Sequence, residues 1–349
     1  MKRTVKLAII GLILGVISVV AVYFGNPGNM GFCLACFVRD TAGSFHLHQA
    51  VPVRYLRPEI FGLLIGAFLM AKGKGEFSPR GGSSPLTRFV LGFCVMTGAL
   101  IFLGCPFRML LRMAGGDLNA WVGLLGFVTG IFAGTLFLKR GFSLKRSYKT
   151  GTLEGSILPV IAVGVMLTAI IAPTLFAVSE KGPGAMHAPI WYALGAGLIV
   201  GALAQRNRFC MIGGIRDMIL FRHAELLTGS IGVLVAAWVA NMAFGFFHFG
   251  FANQPIAHTD GIWNFAGLFL VGLASTLAGG CPLRQFIMSG EGNTDAAITI
   301  LGLFFGAAFA HNFGWAASPN GVPVAGKIAT GIAIFVVLLI GFFNRGKEV

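Results

Sequence analysis

Charge is scarce in this chain. Asp, Glu, Lys and Arg make up 11% of the 349 residues, and only 12 residues are acidic. A soluble domain carries about 25% charged residues, so a water-facing surface over most of the length is excluded. No P-loop, no dinucleotide-binding fingerprint and no soluble segment able to supply ATP is present, which argues against an autonomous pump. The seven histidines form no group with the spacing of a catalytic metal site; His46 and His48 lie two apart and could shuttle a proton or simply face the interface. The six cysteines make no soluble disulfide framework. No small-residue cleavage signal precedes Tyr23-Phe24, so Met1-Lys2-Arg3 and the apolar run from Leu7 read as a retained first span.

What fills the chain is apolar sequence and glycine. Hydrophobic residues reach 56%, mean hydropathy is +0.83, and there are 51 glycines. Ten apolar stretches stand out, at 5–24, 57–71, 88–104, 119–138, 155–177, 189–204, 224–247, 262–280, 295–311 and 325–343. The fold class expected is an all-α polytopic membrane protein. Some stretches are short: 57–71 covers only about 22 Å of a hydrocarbon core about 30 Å thick. Gly11 and Gly15, Gly62 and Gly66, Gly197 and Gly201, and Gly302 and Gly306 give GxxxG spacings, which suit close helix packing but arise by chance at this glycine content. The net charge of +14 would point to nucleic acid in a soluble domain; here the basic residues fall mainly between apolar stretches and serve as cytoplasmic retention signals. With the N-terminus inside, only Arg39, Arg54, Arg57, Arg108, Arg112, Lys181 and Lys327 of the 26 Lys and Arg fall outside. Both termini are therefore expected in the cytoplasm, in a bacterial or archaeal inner membrane. The expected partners are membrane lipid and a small anion, with no nucleic acid.

Two motifs occur twice. Phe32-Cys33 followed by Arg39-Asp40 returns as Phe209-Cys210 followed by Arg216-Asp217, and Gly104-Cys105-Pro106-Phe107-Arg108 returns as Gly280-Cys281-Pro282-Leu283-Arg284. The offsets, 177 and 176 residues, indicate an internal duplication. Five crossings separate equivalent positions, which inverts the second copy and predicts a pseudo-two-fold axis in the membrane plane. The expected organisation is a first membrane repeat at 1–140, a basic linker and extra span at 141–188, a second inverted repeat at 189–312, and an outer loop with a C-terminal span at 313–349. The turn-forming start and apolar continuation of Asn26 to Asp40 predict a short re-entrant helix.

Pro106 and Pro282 suit the first position of short helices, which puts Cys105 and Cys281 near helix N-termini, where exposed N–H groups favour an anion. A thiol there, near Arg108 or Arg284, is easily ionised and suits a soft chalcogen anion better than a hard cation. Against this, buried cysteine can fill space like a small hydrophobe, and arginine can snorkel to the interface. Cys33 and Cys36 form a CxxC, an accessory thiol whose partner is missing from the second copy, where Gly213 stands. A dithiol redox pair or metal clamp is correspondingly weak, and no metal or cofactor is expected. Arg39 with Asp40, and Arg216 with Asp217, read as structural ion pairs or as part of the path. Cys94, inside a span, reads as packing.

Together the runs Gly31-Phe-Cys-Leu-Ala-Cys-Phe-Val-Arg-Asp-Thr-Ala-Gly43, Gly104-Cys-Pro-Phe-Arg108, Asn207-Arg-Phe-Cys-Met-Ile-Gly-Gly-Ile-Arg-Asp217 and Gly280-Cys-Pro-Leu-Arg284 resemble the YeeE/YedE membrane family, in particular its YedE branch associated with selenium metabolism. The resemblance implies transport rather than catalysis, with inverted halves and a central relay of thiols. Residue by residue it assigns the relay to Cys105, Cys210 and Cys281, with Cys33 as the symmetry-related candidate. It implies uptake of a small sulfur- or selenium-containing anion, and a cytoplasmic thiol or selenium-metabolism protein as a further partner. The competing expectation is a membrane thiol-redox protein acting through Cys33 and Cys36.

Overall fold

The structure is a computed structural model and describes residues 3–344. Lys2, Arg345 and Lys347, which count as inner charges above, lie outside the described residues. Every one of the ten apolar stretches forms a helix: α1 (Arg3–Tyr23), α3 (Pro58–Gly73), α4 (Pro85–Phe102), α6 (Leu118–Lys139), α7 (Thr152–Ile171), α8 (Ile190–Arg206), α10 (Glu225–Ala243), α11 (Gly261–Ala278), α13 (Thr294–Asn312) and α14 (Val324–Phe343). Four short helices lie between them: α2 (Leu34–Ser44), α5 (Pro106–Ala114), α9 (Met211–Phe221) and α12 (Pro282–Gly290). Among the described residues, the strands are a two-residue antiparallel pairing of β1 (Arg80–Gly81) with β2 (Tyr148–Lys149), beside a few isolated bridges. Eight of the helices are long and apolar enough to cross a membrane; α3 and α8, at 16 and 17 residues, fall short of that length. The chain is an all-α polytopic membrane protein.

The helix pairing is symmetric. α1 packs on α10 as α8 packs on α3, α4 packs on α13 as α11 packs on α6, and α4 meets α11. The correspondence extends to single contacts. A Cβ on Gly126 of α6 would come 2.1 Å from the Phe265 carbonyl oxygen of α11, and one on Gly302 of α13 would come 2.1 Å from the Phe89 carbonyl oxygen of α4. Both partners shift by 176 residues between the two contacts. No side chain fits at either crossing, so the backbones touch, as small-residue packing between membrane helices requires. Each of the four GxxxG pairs lies at such a crossing, Gly11 against Gly229 and Gly62 against Leu194 among them. The extra helices break the pattern: α7 lies against α3 and α12, whereas α14 lies against α4 and α11.

The long helices are interrupted where the motifs occur. Leu103 (φ 62°) and Gly279 (φ 85°) adopt the left-handed conformation that ends α4 and α11. Glycine accepts this freely, whereas a leucine there costs about 1–2 kcal/mol. The chain then restarts as α5 and α12, each with proline in its first turn and cysteine at the N-cap.

Candidate functional site

Four cysteines occupy helix N-caps. Cys33 and Cys210 precede α2 and α9, and each sulfur accepts a backbone N–H three residues on: from Cys36 at 3.3 Å and from Gly213 at 3.4 Å. A sulfur here does what a Ser or Asp oxygen does at an ordinary cap, satisfying one of the orphan donors of the first turn. Cys105 and Cys281 stand at the N-cap positions of α5 and α12, with no cap hydrogen bond from their sulfurs.

These caps meet in pairs. The Cys33 thiol is close enough to Cys105 to act on it electrostatically, and Cys210 stands likewise to Cys281. Each pair gathers N–H groups from two helices: the Cys105 sulfur faces the backbone N–H of Ala35 and Arg108, and the Cys281 sulfur faces those of Met211 and Arg284. Two helix starts therefore converge on each thiol pair, so N–H groups and dipole ends point at one spot. All four side chains are buried, from fully in the case of Cys33 to 8% exposed in the case of Cys210. All six cysteines are free thiols.

The arginines differ between the halves. Arg108 is fully buried and donates only to neutral acceptors: the Asn29, Leu103, Pro255 and Ile256 carbonyls and, at 3.4 Å, the Cys36 sulfur. No carboxylate lies within ion-pair distance of it among the described residues. Arg284 instead makes a two-pronged ion pair with Glu291, at 2.9 and 3.1 Å. Cys36 thus belongs to the first thiol group through Arg108 and Cys33 together, not through a CxxC acting alone.

Arg39 and Asp40 pair at 2.7 Å, with both side chains almost fully buried. A residue not singled out in the sequence completes this cluster. Arg57 grips the other oxygen of Asp40 at 2.8 Å, donates to the Asn26 side chain and the Pro183 carbonyl, and stands over the rings of Tyr55 and Phe37. Asn26 also donates to Glu59, which is buried. Arg216 and Asp217 form the equivalent pair, but 30% and 23% exposed and with no further ion-pair partner among the described residues. A second buried pair, Arg112 with Asp117 at 2.6 Å, was also missed. Its signal was present: Asp117 and Asn293, 176 residues apart, are both turn-favouring N-caps, of α6 and α13.

Other sequence candidates lie elsewhere. His46 is exposed, while His48 is buried in the loop after α2, where its Nε2 bonds the Arg39 carbonyl and its Nδ1 accepts the Ala50 N–H. Burial holds its pKa below the ordinary imidazole value, so this ring is neutral. Cys94 is buried in the middle of α4. Among the described residues no group of His, Cys, Asp or Glu could hold a metal. An apolar cavity of about 260 Å³ between α3, α7, α12 and α13, lined by Leu64, Ile161, Phe286 and Phe304, contains no thiol or charged group and does not compete with the cysteine sites.

Comparison with known proteins gives partial matches. The profile of a protein family described as "Sulphur transport" matches residues 206–344, which include the second thiol pair, Arg284 and Glu291. The chain is similar to the thiosulfate transporter TsuA of Escherichia coli, at 29% identity over 108 residues, 31% of this chain and 30% of that protein. It is also similar to the thiosulfate transporter TsuA of Spirochaeta thermophila, at 29% identity over 117 residues, 34% of each chain. The similarity spans about a third of the length of these curated relatives.

Proposed function

We propose that this protein is a membrane transporter that takes up a small sulfur- or selenium-containing anion, passing it between two thiol sites. The observation that carries the reading is the twice-built arrangement of two thiols at helix N-cap positions, converging helix N-termini and an arginine, repeated at an offset of 176–177 residues. Convergent N–H groups attract an anion, and soft sulfur makes contacts that form and break easily. Two successive sites, neither strong enough to trap its ligand, favour passage. Cys33, Cys105, Cys210 and Cys281 line the path, Cys36 is the accessory thiol, and Arg108 and Arg284 attract or anchor. Arg39–Asp40 and Arg216–Asp217 hold their helices in place. The similarity to thiosulfate transporters supports a sulfur anion, and the resemblance to the selenium-associated branch extends the substrate class to its selenium analogues.

In this reading the segments 1–140 and 189–312 are inverted repeats, joined by 141–188 and completed by 313–349. The short helices α2, α5, α9 and α12 are re-entrant. The thiol-redox alternative is weaker, because burial of both Cys33 and Cys36 keeps a macromolecular redox partner away from them.

The test is uptake into vesicles containing the purified protein, comparing labelled thiosulfate, selenosulfate and selenite. Saturable uptake of at least one is expected. Movement of none, alongside thiol exchange with a redox partner, would reverse the assignment. The proposed orientation puts both ends in the cytoplasm, so reporters fused before Arg3 and after Asn344 should give the same cytoplasmic signal; opposite signals would defeat the even number of spans.

A further inference from the structure

We infer that Glu291 neutralises Arg284 so that the second thiol site binds an anion more weakly than the first, which makes the first the capture site and the second the release site. This rests on the transport reading above.

Arg108 and Arg284 are equivalent, 176 residues apart, and each follows its capping cysteine by three positions. Their surroundings are not equivalent. Arg108 keeps its full charge beside Cys33, Cys36 and Cys105, because its acceptors are carbonyl oxygens and a thiol. The other charges of that half are compensated: Arg112 by Asp117, and Arg39 and Arg57 by Asp40, with Glu59 joined to Arg57 through Asn26. In the second half both prongs of Arg284 are taken by Glu291, and Arg216 is paired with Asp217. Arg284 is still close enough to Cys210 to act on it electrostatically. The carboxylate cancels most of what an anion at that sulfur would feel.

The asymmetry is built into the chain. The position equivalent to Glu291 is Gly115, the residue that ends α5. A Cβ there would sit 2.4 Å from the Asn29 side-chain oxygen, so any side chain at that position would have to displace the buried Asn29 amide. Asn29 in turn offers its own carbonyl to Arg108. The first site is thus one of uncompensated positive charge with three thiols, and the second is a neutral one with two. A carrier that must let go of its ligand needs this kind of difference, since binding has to be weak enough at the exit to permit departure.

Glu291 acts through Arg284 and is a positioning residue. Glu291→Gln keeps a hydrogen-bond acceptor for Arg284 but removes the charge. The experiment measures equilibrium binding of labelled thiosulfate to purified, monodisperse protein together with initial uptake in vesicles. Wild type should show one tight site per chain, and Glu291→Gln two, with affinity at the added site raised on the order of tenfold, within what one unmasked charge supplies to a buried anion. Its maximal uptake rate should fall because release becomes slow, and the concentration giving half-maximal uptake should fall with it. A purely structural defect would lower the rate without adding a site. The double variant Arg284→Gln/Glu291→Gln is again neutral and should return to one tight site, which guards against a Glu291→Gln chain that folds poorly. If wild type carries thiosulfate and Glu291→Gln still shows a single site of unchanged affinity, the inference falls and the transport reading stands. If wild type neither binds nor moves any anion of the panel, both fall.

Discussion

Replacing Cys105 and Cys281 together by serine should abolish uptake while leaving the amount of folded protein in the membrane nearly unchanged. Both residues stand at the N-cap position of short helices that begin with proline, and neither sulfur makes a cap hydrogen bond that serine would have to replace. The helices should therefore still form. What disappears is the polarisable sulfur that faces N–H groups from two helices at once and meets the thiol of Cys33 or Cys210. With one soft group deleted from each site, both ends of the proposed path are impaired, so the double variant should lose at least ten times more uptake than a Cys94→Ser control, a step of about 1.4 kcal/mol or more in the barrier to passage. Cys94 is equally buried, but it lies in mid-helix in α4. Initial rates over a substrate series, normalised to folded protein, provide the comparison. Wild-type-like uptake by the double variant would remove the thiol relay even if the protein is a transporter.

The parts of this architecture that were legible in the sequence are those carried by local chemistry and by repetition. All ten apolar stretches become helices because nothing in them competes with helical hydrogen bonding at low polarity. The restart of α5 and α12 after cysteine follows from Pro106 and Pro282, which cannot continue a helix but can begin one. The two offsets near 176 anticipate the symmetric pairing of α1 with α10 and α8 with α3, since segments of like sequence pattern bury equivalent faces.

What was not legible depends on contacts between distant segments. Arg57 sits in a loop 17 residues beyond Asp40, and only the turn after α2 brings its guanidinium onto that carboxylate. The GxxxG spacings had no distinguishing mark in a glycine-rich chain; only the crossings show that backbone fills the place of a side chain. Cys36 looked like half of a CxxC, whereas its sulfur meets Arg108, 72 residues away, and no local pattern records that. The equal motifs also hid an unequal outcome. Arg39–Asp40 and Arg216–Asp217 are identical in sequence, yet one pair is buried in a five-residue polar network with Arg57, Asn26 and Glu59 and the other is partly open.

That difference gives the second large expected effect, on stability. Asp40→Ala should leave two guanidinium groups, those of Arg39 and Arg57, buried and without their carboxylate; both side chains are at most 4% exposed. Breaking a buried ion pair by removing one partner costs about 3–5 kcal/mol, and here one carboxylate serves two cations. Against a total stability of about 5–15 kcal/mol this is enough to deplete the folded state. The neighbouring contacts fail with it, because Arg57 also fixes Asn26, which in turn holds Glu59 and the backbone of Ala188. The same change at the equivalent position, Asp217→Ala, should cost no more than about 1 kcal/mol, since both partners are partly exposed and only one cation loses its carboxylate. Asp40→Asn should fall between, keeping one acceptor oxygen but losing the charge. Thermal unfolding in detergent, read alongside the yield of monodisperse protein, ranks the three variants. Equal losses for Asp40→Ala and Asp217→Ala would show that burial of the first pair does not make it structurally distinct from the second, and the unequal support of α2 and α9 would have to come from the apolar contacts of α2, all of whose residues are buried, where α9 buries only Met211 to Gly214.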